Sequence, residues 1–186
     1  QWGYRLWVDS TGIPKFDLSQ DGSRMATVSA STAISANTWY HLVGTFATGS
    51  AMKIYVNAAQ QGQVTSSLPT GIMNSSANLN VGGENSGATN LFRGTIDEVK
   101  LYDYALSQDE VNVEYNQGKG QVLGSLSTDA DGNTASNSAS RAYCPPGDSS
   151  GNCAAGSDAS PLLEWNFDEN SGTTANDTSG NGLSGT

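Results

Sequence analysis

Short runs of strand-forming residues recur along the first half of the chain, at intervals of about ten residues with turn residues in each gap. This spacing predicts an all-β protein, an antiparallel sandwich or jelly roll. The predicted strands lie in WGYRLWVD, KFDLS, TWYHLVGTF, MKIYVN, LNVGG and GTIDEVKLYD.

The first predicted strand alternates between two faces. Arg5 and Trp7 share one face, and the other face carries Trp2, Tyr4, Leu6 and Val8. TWYHLVGTF differs, because it is apolar on both faces as a central strand would be.

One short helix is predicted in ALSQDEVNVEY. Ser107 and Glu110 are three residues apart, which is the spacing of a capping box. Val111 and Tyr115, four residues apart, form its apolar stripe. The pattern predicts a helix of one or two turns.

The composition is typical of a secreted β protein and excludes several partners. The net charge is −10 with only 8 Lys plus Arg, and the clustered cations that nucleic acid requires do not occur. No apolar run approaches the length of a membrane span, so membrane insertion is not expected.

The two cysteines, Cys144 and Cys153, enclose the short segment CPPGDSSGNC. A disulfide between them is predicted for an oxidising compartment. Two free thiols are the alternative in a reducing compartment. A zinc site is disfavoured, since the only histidine, His41, lies far away in sequence.

The last part of the chain changes character. Residues 119–161 have few large apolar side chains and no periodicity, which predicts a linker. A new strand, LLEWNF, then precedes a loop of Gly, Ser, Thr, Asn and Asp.

NTWYHLVGTF, MKIYVN and FRGTIDEVKLYDYALSQDEV resemble, in this order, the second half of a laminin G-like (LamG-type) jelly roll of the concanavalin A-like lectin/glucanase superfamily. EWNFDENSGTTANDTSGNGLSGT resembles the first strand and loop of the same family. The resemblance implies an incomplete jelly-roll sandwich with one short C-terminal helix and a long linker, in a window cut from a longer tandem array. Its expected parts are the C-terminal part of one repeat (1–118), a Gly/Ser/Asn/Asp-rich linker with the disulfide (119–161) and the first strand and loop of the next repeat (162–186).

One position departs from the family pattern. Glycine usually follows the asparagine of YVN in a hairpin turn, whereas this chain has Ala58. Alanine is destabilised at positive φ, so the turn type stays open.

The acidic residues do not predict an enzyme. Glycoside hydrolysis needs two carboxyl groups about 5–10 Å apart across one bond. Asp97 and Glu98 are adjacent, so in a strand they point to opposite faces, and the same-face acidic row expected of the glucanase relatives is absent. A Ser-His-Asp site would need His41, which no G-x-S-x-G motif accompanies. No catalytic residue is therefore predicted.

Calcium is the predicted cofactor, in a structural role. Domains that resemble this one hold the ion between the first loop and the strand that begins near Asp97. NDTSGNG supplies Asp177, Asn181 and backbone carbonyls for such a site. Asx-turns without metal explain the same loop residues equally well.

Trp7 and Arg5 are the candidate ligand-binding residues, because an aromatic ring can stack on the C–H face of a pyranose. The alternative is that Trp7 lies in the core, since either face of its strand could point inward. The sequence therefore predicts an extracellular or cell-surface LamG-like module that binds a glycan or surface glycoconjugate. A structural spacer repeat of a surface protein, or a filament subunit completed by strand exchange, is the alternative.

The final strand is also predicted to dock. If residues 1–118 lack the first strands of their repeat, their sheet edges carry unpaired N–H and C=O groups. We predict that LLEWNF docks there like the first strand of a circular permutant, in the same chain or a neighbouring one. Docking would bury Leu163, Trp165 and Phe167, and it allows self-association by strand complementation.

Overall fold

The structure, a computed structural model, describes residues 3–22, 25–84, 90–116, 161–169 and 171–185. In these residues the chain forms antiparallel strands and one short helix, which confirms the predicted all-β class. The domain boundaries at residues 118 and 161 stay a prediction.

The first sheet is built from β1 (Tyr4–Val8), β2 (Pro14–Ser19) and β3 (Met25–Ser29), in that order. Its register places Arg5 opposite Asp17, and Asp17 opposite Thr27. Because directly opposed residues of antiparallel strands share a face, these three side chains lie together. The other face carries Leu6, Phe16 and Val28 in one row.

The second sheet is built from β4 (Leu42–Ala47), β5 (Ala51–Val56) and β6 (Ala59–Val64), again in chain order. Its central strand, β5, is almost completely buried. The β4 strand begins at Leu42 and pairs with β5 alone among the described strands, so the predicted central position of TWYHLVGTF is wrong.

The core lies between the two sheets. It contains Phe16 and Leu18 from β2, Val28 from β3, and Met52 and Ile54 from β5. A second cluster packs Tyr55, Leu106 and Val111 together. Since Tyr55 and Ile54 are neighbours in β5, they point to opposite faces. The second sheet is therefore covered on both sides.

The helix α1 (Gln108–Tyr115) follows the predicted capping pattern. Ser107 accepts a hydrogen bond from the backbone N–H of Glu110, and the Glu110 carboxylate accepts one from the backbone N–H of Ser107. Val111 is fully buried against Tyr55 and Leu106. Of the two residues of the predicted stripe, Val111 is buried in this contact, whereas Tyr115 is 45% exposed.

Two predicted strands are shorter or absent. Residues 79–83 of LNVGG form no strand. In GTIDEVKLYD only β7 (Val99–Leu101) is a strand. Glu98 has a φ of 52°, a left-handed conformation that interrupts strand geometry just before β7.

β8 (Leu163–Trp165) pairs antiparallel with β7 in the same chain. Leu163 and Trp165 are buried, whereas Phe167 is half-buried, has a φ of 54° and lies outside the strand. Docking of LLEWNF on the body is thus present, although it occurs through three residues only. We call residues 161–169 and 171–185 the C-terminal unit.

The β5–β6 hairpin keeps a two-residue turn without glycine. Asn57 and Ala58 have φ values of 50° and 65°. Positive φ at both central positions is the mark of a type I′ turn. The turn is stabilised from outside, because the Asn57 side chain accepts a hydrogen bond from the backbone N–H of His41 and the Gln108 amide donates to the Ala58 carbonyl.

We expect Ala58→Gly to raise the free energy of unfolding by about 0.5–1 kcal/mol, because glycine removes the penalty of positive φ. The gain is limited, since the Ala58 methyl group packs against the cluster around Tyr55. Urea denaturation followed by circular dichroism measures the change.

The matched control is the reverse substitution, Gly49→Ala, in the β4–β5 turn. Gly49 has a φ of 70°, and a methyl group added there would meet no other atom within 4 Å. Only the backbone strain of a positive φ should therefore change the free energy of unfolding, which should fall. A loss of stability in Ala58→Gly would show that the methyl contact outweighs the strain.

Candidate functional site

The candidate ligand residues Arg5 and Trp7 lie on the face of the first sheet that points away from its core side chains. Both bind one carboxylate, that of Asp17, which is only 1% exposed. Arg5 Nη2 and Trp7 Nε1 each donate to Asp17 Oδ2 at 2.7 Å. Thr27 Oγ1 donates to Asp17 Oδ1 at 2.8 Å. The buried charge is therefore saturated with donors.

Cations lie near the Trp7 ring. The Arg5 guanidinium carbon lies 4.3 Å from the ring centroid, and Lys15 Nζ lies 5.4 Å from it. Lys15 is itself held by Asp9 at 2.8 Å. A sugar that stacks on a ring face covered by Arg5 or Lys15 would have to displace that cation.

Arg5 also connects this face to the next segment of chain. Its Nη1 donates to Glu84 Oε1 at 2.6 Å, and Asn90 Nδ2 donates to Glu84 Oε2 at 2.7 Å. The hydrogen bond from Arg5, followed by that from Asn90, holds the pKa of Glu84 below its usual range. Burial disfavours the charge on Arg5, but its hydrogen bonds to Asp17 and Glu84 outweigh burial and raise its pKa.

A wide open groove of about 2560 Å³ runs beside these residues. Exposed apolar side chains and several amide side chains line it together, a mixture that suits amphipathic ligands. Trp39 is 65% exposed, the most exposed of the large hydrophobic side chains in the described residues. The residues that line the groove include Arg5, Trp7, Trp39, Asn78, Asn80 and Phe92.

Sequence reasoning missed Trp39, because it placed this residue in a strand that is apolar on both faces. In the structure the strand starts only at Leu42, and Trp39 lies in the preceding loop. The backbone N–H of His41 is bound by the Asn57 side chain, just before β4 begins. That contact joins sequence-distant residues and could not be inferred from NTWYHL alone.

His41 is a packed side chain. Its ring centroid lies 5.7 Å from that of Tyr115 on α1. Burial lowers its pKa, so the neutral ring is favoured. Among the described residues the buried Nδ1 atom of His41 has no hydrogen-bond partner, so packing rather than hydrogen bonding holds the ring.

The predicted calcium residues lie on two segments: Asp177 and Asn181 belong to the C-terminal unit, and Asp97 precedes β7. Both carboxylate oxygens of Asp177 accept backbone N–H groups, from Glu164 and Ser179 at one oxygen and from Leu183 at the other. Asn181 Nδ2 donates to the Leu162 carbonyl at 3.1 Å. Hydrogen bonds from the Ser179 side chain and the Leu183 amide hold the pKa of Asp177 far below its usual range.

Asp97 lies two residues before β7, and its Oδ1 accepts the N–H of Glu98 at 2.9 Å. In the described residues no cluster of three or more His, Cys, Asp or Glu side chains could hold a metal ion. Calcium takes six to eight oxygens. The three predicted side chains do not form such a set by themselves, and the geometry around Asp177 fits a hydrogen-bonded Asx loop.

Asp97 and Glu98 also fail to resemble a pair of carboxyls facing one another in a sheet, since neither lies in β7. Burial raises the pKa of Glu98 and is the largest influence on it. Neighbouring acidic groups also raise this pKa, whereas Lys100 lowers it.

Cys144 and Cys153 lie outside the described residues, so the disulfide stays a prediction.

A family model for laminin G domains, described as belonging to the concanavalin A-like lectin/glucanases superfamily, matches residues 1–112. The chain belongs to this superfamily. The LamG resemblance and the incomplete concanavalin A-like sandwich are therefore both confirmed.

Comparison with solved structures gives a similar chain from an S-layer domain-containing protein of Clostridium thermocellum, at 21% identity and a TM-score of 0.38. The alignment covers 62% of the LamG-like chain and 64% of that chain, which is less than two thirds of its length. No curated protein matches. Of the helices in the described part, none is both long and apolar enough to cross a membrane.

Proposed function

We propose that this chain is an extracellular, non-catalytic LamG-like module that binds a carbohydrate or glycoconjugate in the groove beside Arg5 and Trp7. The supporting observation is that this open groove carries an exposed indole, Trp39, together with asparagine side chains. Aromatic rings bind the apolar faces of sugars, and amides hydrogen-bond their hydroxyl groups. The lectin-containing superfamily agrees with this assignment.

Arg5 and Trp7 have a supporting role in this proposal. The Asp17 carboxylate fixes both side chains, and Arg5 also binds Glu84, which lines the groove. A fixed donor group loses little side-chain entropy when a ligand binds, so the arrangement favours recognition.

A glycan array tests the proposal with wild-type protein, Trp39→Ala and Trp7→Ala. We expect wild-type protein to retain one class of glycan and Trp39→Ala to lose affinity by about tenfold or more, because stacking contributes about 1 kcal/mol and apolar burial adds to it. Trp7→Ala should also weaken binding, because Arg5 loses the ring beside it.

Leu162→Ala is the control, since Leu162 is exposed and lies outside the groove. Retention of no glycan by wild-type protein would contradict the proposal. So would Trp39→Ala and Trp7→Ala variants that both behave like wild-type protein.

Calcium binding by Asp97, Asp177 and Asn181 stays a prediction with its own test. If calcium binds the folded chain, the melting temperature should rise when calcium replaces EGTA, because a ligand of the native state stabilises it. Asp97→Asn should abolish this rise, whereas the exposed Asp103→Asn should preserve it. Identical melting temperatures in calcium and EGTA would refute the prediction.

A further inference from the structure

We propose that the C-terminal unit, by docking on β7 of its own chain, holds one wall of the groove in place, so that glycan binding and docking of the unit stabilise each other. Because it needs a ligand in the groove, this coupling rests on the proposed function. It adds a means of regulation: a chain whose C-terminal unit is released should bind its glycan more weakly.

The strand β7 belongs to the groove and to the docking ladder at the same time. All of its residues, Val99–Leu101, line the groove. Among the described strands, β7 pairs with β8 alone, through three residue pairs. If β8 left, no other described strand would hold β7 in a sheet. No described residue of the C-terminal unit lines the groove itself, so the unit acts on the site through β7 rather than by contact with the ligand.

The side chain of Lys100 ties the C-terminal unit to the helix α1. Its Nζ lies 3.0 Å from Glu164 Oε1 of the unit and 3.0 Å from Glu114 Oε2 of α1. Burial lowers the pKa of Lys100, but the hydrogen bonds to Glu164 and Glu114 outweigh burial and raise it. The ammonium group therefore stays charged between the two carboxylates. Since Lys100 and Glu114 both line the groove, release of Glu164 changes the charge balance of its wall.

The contacts continue from α1 to the loop that carries the exposed indole. Tyr115 follows Glu114 in α1, and its ring centroid lies 5.7 Å from that of His41. His41 follows Trp39 by two residues, and Tyr115, His41 and Trp39 all line the groove. A continuous row of contacts thus leads from Glu164 of the C-terminal unit to the loop that is proposed to bind the sugar.

The β7–β8 ladder is the part of this row that can open. It has three residue pairs and forms a sheet separate from the two three-stranded sheets, so it can open while both of them stay folded. The docked and released states then differ in the wall of the groove. A ligand that binds the docked state better shifts the population toward it, and docking raises the affinity for that ligand by the same factor. Such factors are typically about 5–150-fold.

Full-length variants on the glycan array test the coupling, with the printed glycan that wild-type protein retains best as the probe and with protein concentration varied to give affinities. Trp165→Ala removes the indole that donates to the Leu183 carbonyl, and Glu164→Gln removes the charge that binds Lys100. We expect Trp165→Ala to bind about fivefold more weakly or worse, and Glu164→Gln to show a smaller loss.

Glu169→Gln is the matched control. It removes one carboxylate charge from the same C-terminal unit, lies outside the ladder and keeps an oxygen for the Asn176 amide. Its affinity should equal that of wild-type protein.

Amide hydrogen exchange measures the coupling from the side of the C-terminal unit. The same glycan, added in solution to wild-type protein, should slow exchange at Leu163–Trp165, which does not line the groove. Without glycan, Trp165→Ala should exchange faster than wild-type protein at Val99–Leu101, whereas the buried strand β5 should keep its protection. If β5 also loses protection in Trp165→Ala, the comparison of Glu164→Gln with Glu169→Gln decides.

The outcomes separate this coupling from the proposed function. Retention of no glycan by wild-type protein would overturn both. If wild-type protein binds, then folded Trp165→Ala of equal affinity, or equal affinities of Glu164→Gln and Glu169→Gln, would overturn the coupling alone. Unchanged exchange at Val99–Leu101 in folded Trp165→Ala would overturn it whether or not a glycan binds, because the wall would then not depend on β8.

Discussion

Asp17→Ala is expected to lower the free energy of unfolding by about 2–4 kcal/mol, the largest effect of any single polar substitution that we predict. The substitution removes a carboxylate that is 1% exposed and accepts hydrogen bonds from Arg5, Trp7 and Thr27. The three donors then lose their common acceptor. Arg5 is partly exposed and can turn to water, which reduces the loss compared with a fully buried pair. Urea denaturation measures it.

Two variants make this test specific. Asp17→Asn keeps the shape and one acceptor oxygen but removes the charge, so we expect a smaller loss than for alanine. Asp103→Ala removes an exposed aspartate and should change stability by less than about 0.5 kcal/mol. If Asp17→Ala were as stable as Asp103→Ala, the Arg5–Trp7–Asp17 arrangement would not organise this face.

Trp165→Ala is expected to release the C-terminal unit from β7. Truncation of a buried tryptophan costs about 3–5 kcal/mol where the site cannot collapse, and Trp165 is 8% exposed. The indole also contacts Phe167 edge-to-face and donates to the Leu183 carbonyl. Since the β7–β8 ladder that joins the unit to the body has three residue pairs, we expect local release rather than unfolding of the whole chain.

Amide hydrogen exchange distinguishes these outcomes. In Trp165→Ala the amides of Ala175, Thr178 and Gly185 should lose protection, whereas those of β5 should keep it. Leu183→Ala is the control, because this exposed side chain is removed while the carbonyl that accepts from Trp165 remains. Unchanged protection at Ala175 and Gly185 would show that Trp165 does not hold the unit together.

Local sequence patterns predicted the parts of the fold that depend on near neighbours. The alternation of β1 and β2, the apolar run of β5 and the capping box of Ser107 and Glu110 all appear as expected. Two strands were missed, β3 and β6, because MATVS and AQQGQV have too few large apolar side chains for a clear pattern. Their places depend on pairing with β2 and β5, which contribute the larger core residues.

The sequence could not show how the candidate site is arranged. It identified Arg5 and Trp7 as neighbours on one face, yet the carboxylate that binds both, Asp17, comes from the next strand, and the register of β1 with β2 brings it there. Trp39 was assigned to a strand and is exposed in the structure. Burial is a property of the packed sheets, so no local pattern reports it.

By itself, the sequence determined the all-β class, the superfamily, the short helix found in the described residues and the acidic, cation-poor composition, because these follow from composition, periodicity and motif order. Tertiary structure alone decided which face of β1 points to the core, the type I′ turn at Asn57 and Ala58, and the pairing of β8 with β7. Each of these depends on contacts between residues far apart in the chain. The left-handed conformation of Ala58 persists because Gln108, fifty residues away, donates to its carbonyl, and because its methyl group packs beside Tyr55.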